Sequence, residues 1–501
     1  MNKHLTGVTI LIGLTLVLVG LVIIGCGSAA PATTAPEEAA APTAPPEPTS
    51  PPEADVEAEP EEEQETEEVL EGDPVRGGLM YDKWWVVIEA DTPADDHPLW
   101  ATQSSNTRSG ADTWRCKECH GWDYKGVDGA YGSGSHMTGF AGIFASKDKP
   151  TAEVLAAMKG STSSDHDFST LMAEQDLVDL TLFMTQAVID DAQLVNDDKT
   201  STGDVAQGQT LYGEVCTSCH GPDGNAINFS SFDDPEFLGH LAPGNPWEYI
   251  HKVRFGQPGW PMPAAISNDW TDEDVAAVLA YAQGFPTEPA VSGGGLLYDK
   301  WWTVLGVDAP TEDQPLWATQ STNTRSGADT WRCKECHGWD YRGVDGAYGS
   351  GSHMTGFAGI LDAASMSSDE LVAWLDGSTN PDHDFSGMID EVALGALATF
   401  IQQESADISG YVNDDKTVNG DPASGKALYD ATCASCHGVD GKRLNFGDED
   451  EPEYAGTIAA DNPWEFFHKV SFGQPGTPMP IGKAMGWSME DIADLLAFVQ
   501  T

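Results

Sequence analysis

The sequence predicts a mainly α protein: four small helical modules arranged as two tandem halves, set behind a disordered acidic tether. Three observations lead there. The chain repeats itself, since Tyr81-Asp82-Lys83-Trp84-Trp85 returns as Tyr298-Asp299-Lys300-Trp301-Trp302 and the offset of 217 residues holds without a gap to the end. Four C-x-x-C-H units, two per copy, divide each copy again. Apolar residues in the segments that close the modules fall on one stripe at helical spacing, as Val275, Val278, Leu279 and Ala282 do.

The 501 residues suffice for several domains. Lys3 and His4 precede an apolar run from Val8 to Ile24, which ends in Ile23-Ile24-Gly25-Cys26. Small and aliphatic residues directly before a cysteine resemble the lipobox of bacterial lipoproteins. That resemblance implies a signal peptide over residues 1–25, cut before Cys26. Cys26 would then carry lipid and hold the protein at a membrane on its extracytoplasmic side, periplasmic or cell-surface. One acyl group alone binds only marginally, so several would be needed. A plain transmembrane anchor, or a signal cleaved elsewhere, is the competing reading. Residues 26–75 are nearly all Ala, Pro, Thr, Glu and Ser. Such a stretch cannot bury a core and repels itself, so it is expected to be an extended tether.

Net charge is −56, from 80 acidic against 24 basic residues. A protein so acidic has little to offer a phosphate backbone, which excludes nucleic-acid binding. An acidic surface raises encounter rates with basic partners, and it also serves solubility alone. Oligomeric state is not legible in these residues.

Nine cysteines are present. Cys26 belongs to the lipobox; the other eight are Cys116/Cys119, Cys216/Cys219, Cys333/Cys336 and Cys433/Cys436, each pair followed by a histidine: His120, His220, His337 and His437. In an exported protein the pattern C-x-x-C-H marks c-type haem attachment: the two thiols form thioethers on one edge of the macrocycle and the histidine reaches the iron. Four covalently bound haem c groups are therefore expected. Structural zinc would place its C-x-x-C pairs ~15–20 residues apart, and thioredoxin-like chemistry needs a βαβ setting. Neither pattern is present.

The repeats give a domain plan: modules over 76–196 and 197–285, a linker over 286–295 within "FPTEPAVSGGG", then modules over 296–413 and 414–501. The second and fourth carry "GDVAQGQTLYGEVCTSCHGPDG" and "GDPASGKALYDATCASCHGVDG", closed by "TDEDVAAVLAYAQGF" and "SMEDIADLLAFVQ". These resemble class I cytochromes c, with Gly208, Tyr212, Gly425 and Tyr429 at that family's small and aromatic positions. The resemblance implies cytochrome c-like helical haem domains in which the first and last helices cross. Thr271 with Asp274 has the pattern of a capping box opening the last helix. The first and third modules resemble the family more loosely. "GGLMYDKWWVV" is their candidate first helix, a long insertion follows it, and "EQDLVDLTLFMTQAV" and "DEVALGALATFIQQ" are the closing helices.

In class I cytochromes c a Met-Pro loop supplies the sixth iron ligand. "FGQPGWPMP" and "FGQPGTPMP" offer Met262 and Met479 for this place, their prolines stiffening the loop. The first and third modules lack that pair. Gly256 to Met262 spans six residues, and so do Gly160 to His166 and Gly377 to His383. His166 and His383 are therefore expected as distal ligands. His136 and His353 in "GSHMTGF" are their rivals, with Met137 and Met354 behind them. His251 and His468 are read as packing or propionate contacts. His97 and His240, without counterparts in the other copy, suit surface loops. Thioether ligation raises haem potential, so electrons should collect on the second and fourth modules.

Taken together these features imply an anchored tetrahaem electron carrier between redox proteins, more a conduit than an enzyme. A second reading is a haem oxidoreductase acting on a small inorganic sulfur or nitrogen compound at one haem of the first module type. A third is a subunit of a haem filament.

Overall fold

The computed structural model describes residues 70–501. Cys26, the signal segment and nearly all of the tether lie outside the described residues. Among those described there are only isolated β-bridges and no strand, so the protein is mainly α. The first copy contributes α1 (Pro74–Val87), α2 (Cys116–His120), α3 (Thr151–Met158), α4 (Glu174–Leu182), α5 (Val205–Val215), α6 (Thr217–His220), α7 (Leu238–Gly244), α8 (Pro246–Phe255) and α9 (Asp272–Ala282). The second contributes α10 (Gly294–Leu305), α11 (Cys333–His337), α12 (Ser368–Leu375), α13 (Glu391–Thr399), α14 (Pro422–Leu428), α15 (Ala434–His437), α16 (Ala455–Asp461), α17 (Pro463–Phe472) and α18 (Met489–Val499).

One device recurs four times: a glycine on one helix lets a later helix cross against its backbone. A Cβ on Gly208 would overlap the Ala277 carbonyl, and one on Gly425 that of Asp494. Gly77 meets Asp179 of α4 in the same way, and Gly294 meets Ala396 of α13. Only a residue without a side chain allows so close an approach. The capping box read from Thr271 and Asp274 is present, each side chain bonded to the other's backbone N–H.

Four clusters of buried apolar residues follow one another along the sequence. They centre on Trp84, Leu177 and Phe183; on Tyr212, Ile250 and Leu279; on Trp301, Leu397 and Phe400; and on Tyr429, Phe467 and Leu496. Helix α8 belongs to two of them. Tyr249, Ile250 and Val253 fill the second core, while Phe255 fills the first. Its equivalent α17 gives Phe467 and Val470 to the fourth core and Phe472 to the third. Apolar residues on both sides are what a helix buried all round requires.

Polar groups reinforce the same seam. Asp82 of α1 pairs with Arg115 and with Lys252 of α8, and Asp299 pairs likewise with Arg332 and Lys469. The two copies diverge at one acceptor: Arg254 donates to the Ala187 carbonyl at 2.8 Å, whereas Lys483 donates to the equivalent Glu404 carbonyl. Position 254 has become Ser471 in the second copy, and a cation from another element replaces the lost bond.

Two boundaries differ from those read in the sequence. Helix α1 begins at Pro74, capped by Asp73, where the tether was expected to run to 75. Helix α10 begins at Gly294, inside the expected linker, because Gly294 is the residue that contacts Ala396 and Gly295 lies against the Phe472 ring.

Candidate functional site

Each C-x-x-C-H unit is a short helical turn that ends in a glycine with positive φ, Gly121, Gly221, Gly338 or Gly438. A tyrosine of the opening helix holds that glycine in every module. Tyr81 donates to the Gly121 carbonyl at 2.6 Å, Tyr212 to Gly221 at 2.8 Å, Tyr298 to Gly338 at 2.6 Å and Tyr429 to Gly438 at 2.7 Å. The opening helix thus positions the motif directly. The eight cysteines are half-buried and unpaired.

In the first and third modules the motif histidine is oriented by its other ring nitrogen. His120 Nδ1–H donates to the Ala141 carbonyl and His337 Nδ1–H to that of Ala358, both at 2.6 Å. That leaves Nε2 free as a lone-pair donor, the usual arrangement of a metal-bound imidazole. Burial lowers His120, His220 and His337 to about 4 and lowers His437 as well, which favours the uncharged ring.

A second imidazole faces each of these two. The His166 ring lies 6.2 Å from that of His120 at an interplanar angle of 83°, and His383 lies 6.2 Å from His337 at 75°. A metal–imidazole bond is about 2 Å long and a ring nitrogen lies roughly 1 Å from its ring centre, so two imidazoles on one metal stand about 6 Å apart. The observed gap fits one iron. His383 Nδ1–H is held by the Trp374 carbonyl at 2.9 Å, and His166 Nδ1 lies 3.5 Å from that of Ala157.

The rival histidines each pack on a tyrosine, in loops whose Thr138 and Thr355 donate to the Cys119 and Cys336 carbonyls. His136 lies edge-on to Tyr131 at 5.7 Å. His353 lies against Tyr348 at 5.2 Å, and its Nδ1 accepts from Arg325 at 2.9 Å. Met137 and Met354 sit beside them in the same loops, half-buried.

In the second and fourth modules Met262 packs into the core that includes Cys216, and Met479 into the core that includes Cys433. Gly256, at φ +91°, ends α8 and lies against the Met262 carbonyl, which fixes the loop's return. His220 Nδ1 and His437 Nδ1 are buried without a protein partner, as is Trp339 Nε1. Half-buried thiols, a motif histidine and a facing imidazole in the first and third modules, and thiols and a motif histidine with a methionine in the same core in the second and fourth, are a donor set that fits haem c. Among the described residues no three His, Cys, Asp or Glu side chains gather into a cage of protein atoms alone.

Two placements were not foreseen. His97 is buried rather than on a surface loop, with its ring 4.5 Å from Trp114 and 6.4 Å from His166. Isolation in one copy suggested exposure, but the aromatic face of Trp114 covers it. His240 is half-buried, its Nδ1 accepting from the Phe237 N–H at the start of α7. His251 and His468 are packing residues with both ring nitrogens occupied: Tyr124 donates to His251 Nδ1 at 2.8 Å, and His251 Nε2–H donates to the Gly78 carbonyl at 3.0 Å. His468 repeats this with Tyr341 and Gly295.

Known proteins resemble this chain in sequence. The family described as "Cytochrome C oxidase, cbb3-type, subunit III" matches residues 203–281 and 420–499. Cytochrome c-554(547) of Halothiobacillus neapolitanus is 34% identical over 92 residues, which span 97% of that protein and 16% of this one. A solved thiosulfate dehydrogenase of Marichromatium purpuratum, in its as-isolated form, is similar at 17% identity over 77% of this protein and 86% of that one, with a TM-score of 0.18. The protein belongs to the cytochrome c family. It is accordingly an electron-transfer protein that binds haem c covalently and works with redox protein partners, and cytochromes c of this kind typically act outside the cytoplasm. No helix among the described residues is long and apolar enough to cross a membrane.

Proposed function

We propose that this cytochrome is an extracytoplasmic tetrahaem carrier, anchored to the membrane by lipidated Cys26, that passes electrons between redox proteins. Cys116 and Cys119, Cys216 and Cys219, Cys333 and Cys336, and Cys433 and Cys436 would each hold one haem. His120 with His166 and His337 with His383 would ligate two irons, and His220 with Met262 and His437 with Met479 the other two. The domain plan of four modules in series is part of this reading. Haem iron cycles between its ferrous and ferric states, so each bound group takes up and releases one electron. The protein's part is to orient and to tune. The Ala141 and Ala358 carbonyls fix the rotation of His120 and His337. The methionine thioethers favour ferrous iron, which makes the second and fourth modules the places where electrons collect.

The observation that carries this reading is the pair of facing imidazoles at 6.2 Å in both copies. Two protein ligands on one iron leave no open position for a substrate, which suits a carrier. One asymmetry favours the second reading, an oxidoreductase acting on a small sulfur or nitrogen compound: His97 sets a further imidazole beside His166, and the other copy has Gln314 there.

The mass of the denatured protein should match four haems, and the resting ferric protein should be wholly low-spin. His166→Ala should then create one high-spin, ligand-binding haem. A near-infrared magnetic circular dichroism spectrum unchanged by that substitution would transfer the role to His136. High-spin iron in the unaltered protein would favour the enzyme.

A further inference from the structure

The order of the motifs in the sequence suggests that electrons pass from the first copy to the second through the linker, from motif two to motif three. The contacts between copies lie elsewhere. The Ile481 N–H donates to the Ala226 carbonyl at 3.2 Å. Gly221, directly after His220, lies against the Ala484 carbonyl, where a Cβ would stand at 3.1 Å. Helix α6, which carries Cys219, packs on the turn Tyr429–Cys433. The linker is fastened down rather than slack: Asn225 donates to the Glu288 carbonyl at 3.2 Å, and Phe285 lies against Gly224.

Divergence between the copies marks the same surface. Ala226 is fully buried, and its equivalent is Arg443, exposed. Phe232 packs on the third core and beneath Gly293, and its equivalent is Glu449, exposed. The first copy is apolar where it must receive the second; the second copy is charged where nothing covers it.

We infer that Gly221, Ala226 and Phe232, meeting Ile481, Ala484 and Gly293, hold motif two edge to edge with motif four. Electrons would then cross between the copies at this junction and visit the motifs in the order one, two, four, three. The inference rests on the four-haem reading above. Paired cysteines grip the thioether edge of a porphyrin, so two cysteine pairs brought together place two such edges together. Within each copy the shared helix continues the path: Tyr249 of α8 lies in the core that Cys216 packs against, and His251 and Phe255 face the first core. Each crossing is a one-electron exchange in which one iron is oxidised as the other is reduced, with no bond broken and no co-reactant needed.

The test uses the full haem-loaded protein carrying Ala226→Arg and Phe232→Glu together. Each change installs the residue that the second copy already carries at that place, so the module fold accommodates it. Pulsed dipolar electron paramagnetic resonance of the oxidised wild type should show coupling between the two methionine-ligated haems. The double variant should lose that coupling, and photoreduction of one copy should reach the other more slowly, while each haem keeps its absorption spectrum. Coupling absent from the wild type, or undiminished in a folded variant, would overturn the junction. Should the double variant fail to fold, the wild-type measurement alone decides. A mass short of four haems defeats the functional reading itself, whereas four low-spin haems with unaltered coupling defeat only the crossing point.

Discussion

His251 Nε2 lies 3.0 Å from the Gly78 carbonyl, which ties helix α8 to helix α1 through a neutral imidazole. Tyr81, Tyr124, Trp122, Phe183 and Phe255 surround the ring. Burial lowers His251 to about 3, despite nearby Asp82, and the equivalent His468 also to about 3. Unfolded histidine titrates near 6.5. Between those values the unfolded state binds more protons, so the stability these rings supply is complete above about pH 6.5 and is lost as pH falls toward 3. The free energy of unfolding, read from denaturant titrations, should fall through that window by on the order of a few kcal/mol per ring. His251→Gln with His468→Gln should flatten the dependence; an equally steep profile in that variant would place the acid sensitivity elsewhere.

Asp82 is 1% exposed and holds both Arg115 and Lys252. Burial alone would raise its carboxyl, but those two cations hold it well below the ordinary carboxylate range. Asp82→Asn removes the charge and leaves two largely buried cations facing each other. Breaking one side of a buried ion pair costs about 3–5 kcal/mol. Thermal or chemical unfolding should register a loss of that order, and so should Asp299→Asn in the second copy. A loss well under 1 kcal/mol would mean that water reaches Arg115 and Lys252.

His97 and Gln314 fill one place in two otherwise similar modules. Both cap the turn that follows, His97 Nδ1 accepting from Leu99 N–H at 3.2 Å and Gln314 Oε1 from Leu316 N–H at 2.7 Å. Gln314 alone also donates to the Asp382 carbonyl at 2.7 Å, next to His383. His97→Gln should therefore fold and should tie the His166 loop in the same way. Spectroelectrochemical titration should show the potentials of the two first-type haems converging. Potentials that stay as far apart would assign their difference to other residues.

Cys26→Ser should release the protein from membranes into the soluble extracytoplasmic fraction. Fractionation after expression in a host with lipoprotein processing checks this, and a variant still retained on membranes would exclude lipid as the anchor.

The glycine-crossed helix pairs were legible because Gly208 and Gly425 sit at fixed distance from a motif whose chemistry is specific. The six residues from Gly160 to His166 pointed to a loop that returns after a helix, and the His166 ring does lie across from that of His120. His97 was misplaced because periodicity carries no information about which aromatic face closes over a loop. The junction between copies lay in plain sight as Ala226 against Arg443 and Phe232 against Glu449. It went unread because an apolar residue facing a charged one across a duplication means nothing until a third surface is known to cover one of them. The roles of His251 and His468 were only half legible: their presence in both copies pointed to packing, but not to the carbonyl of a distant helix.

Helix α8 gives Phe255 to one core and Tyr249 to the next, and this settles what can be moved as a piece. A gene fragment ending before residue 197 would leave the Trp84 core without its Phe255 lid, and one starting there would bare His251 and Lys252 to water. A cut at that point therefore removes buried contacts from both sides, whereas a cut between the copies spares helix α8 and both of the cores it fills. The repeat of 217 residues follows the same division, since each copy contains one such helix whole together with both of its cores.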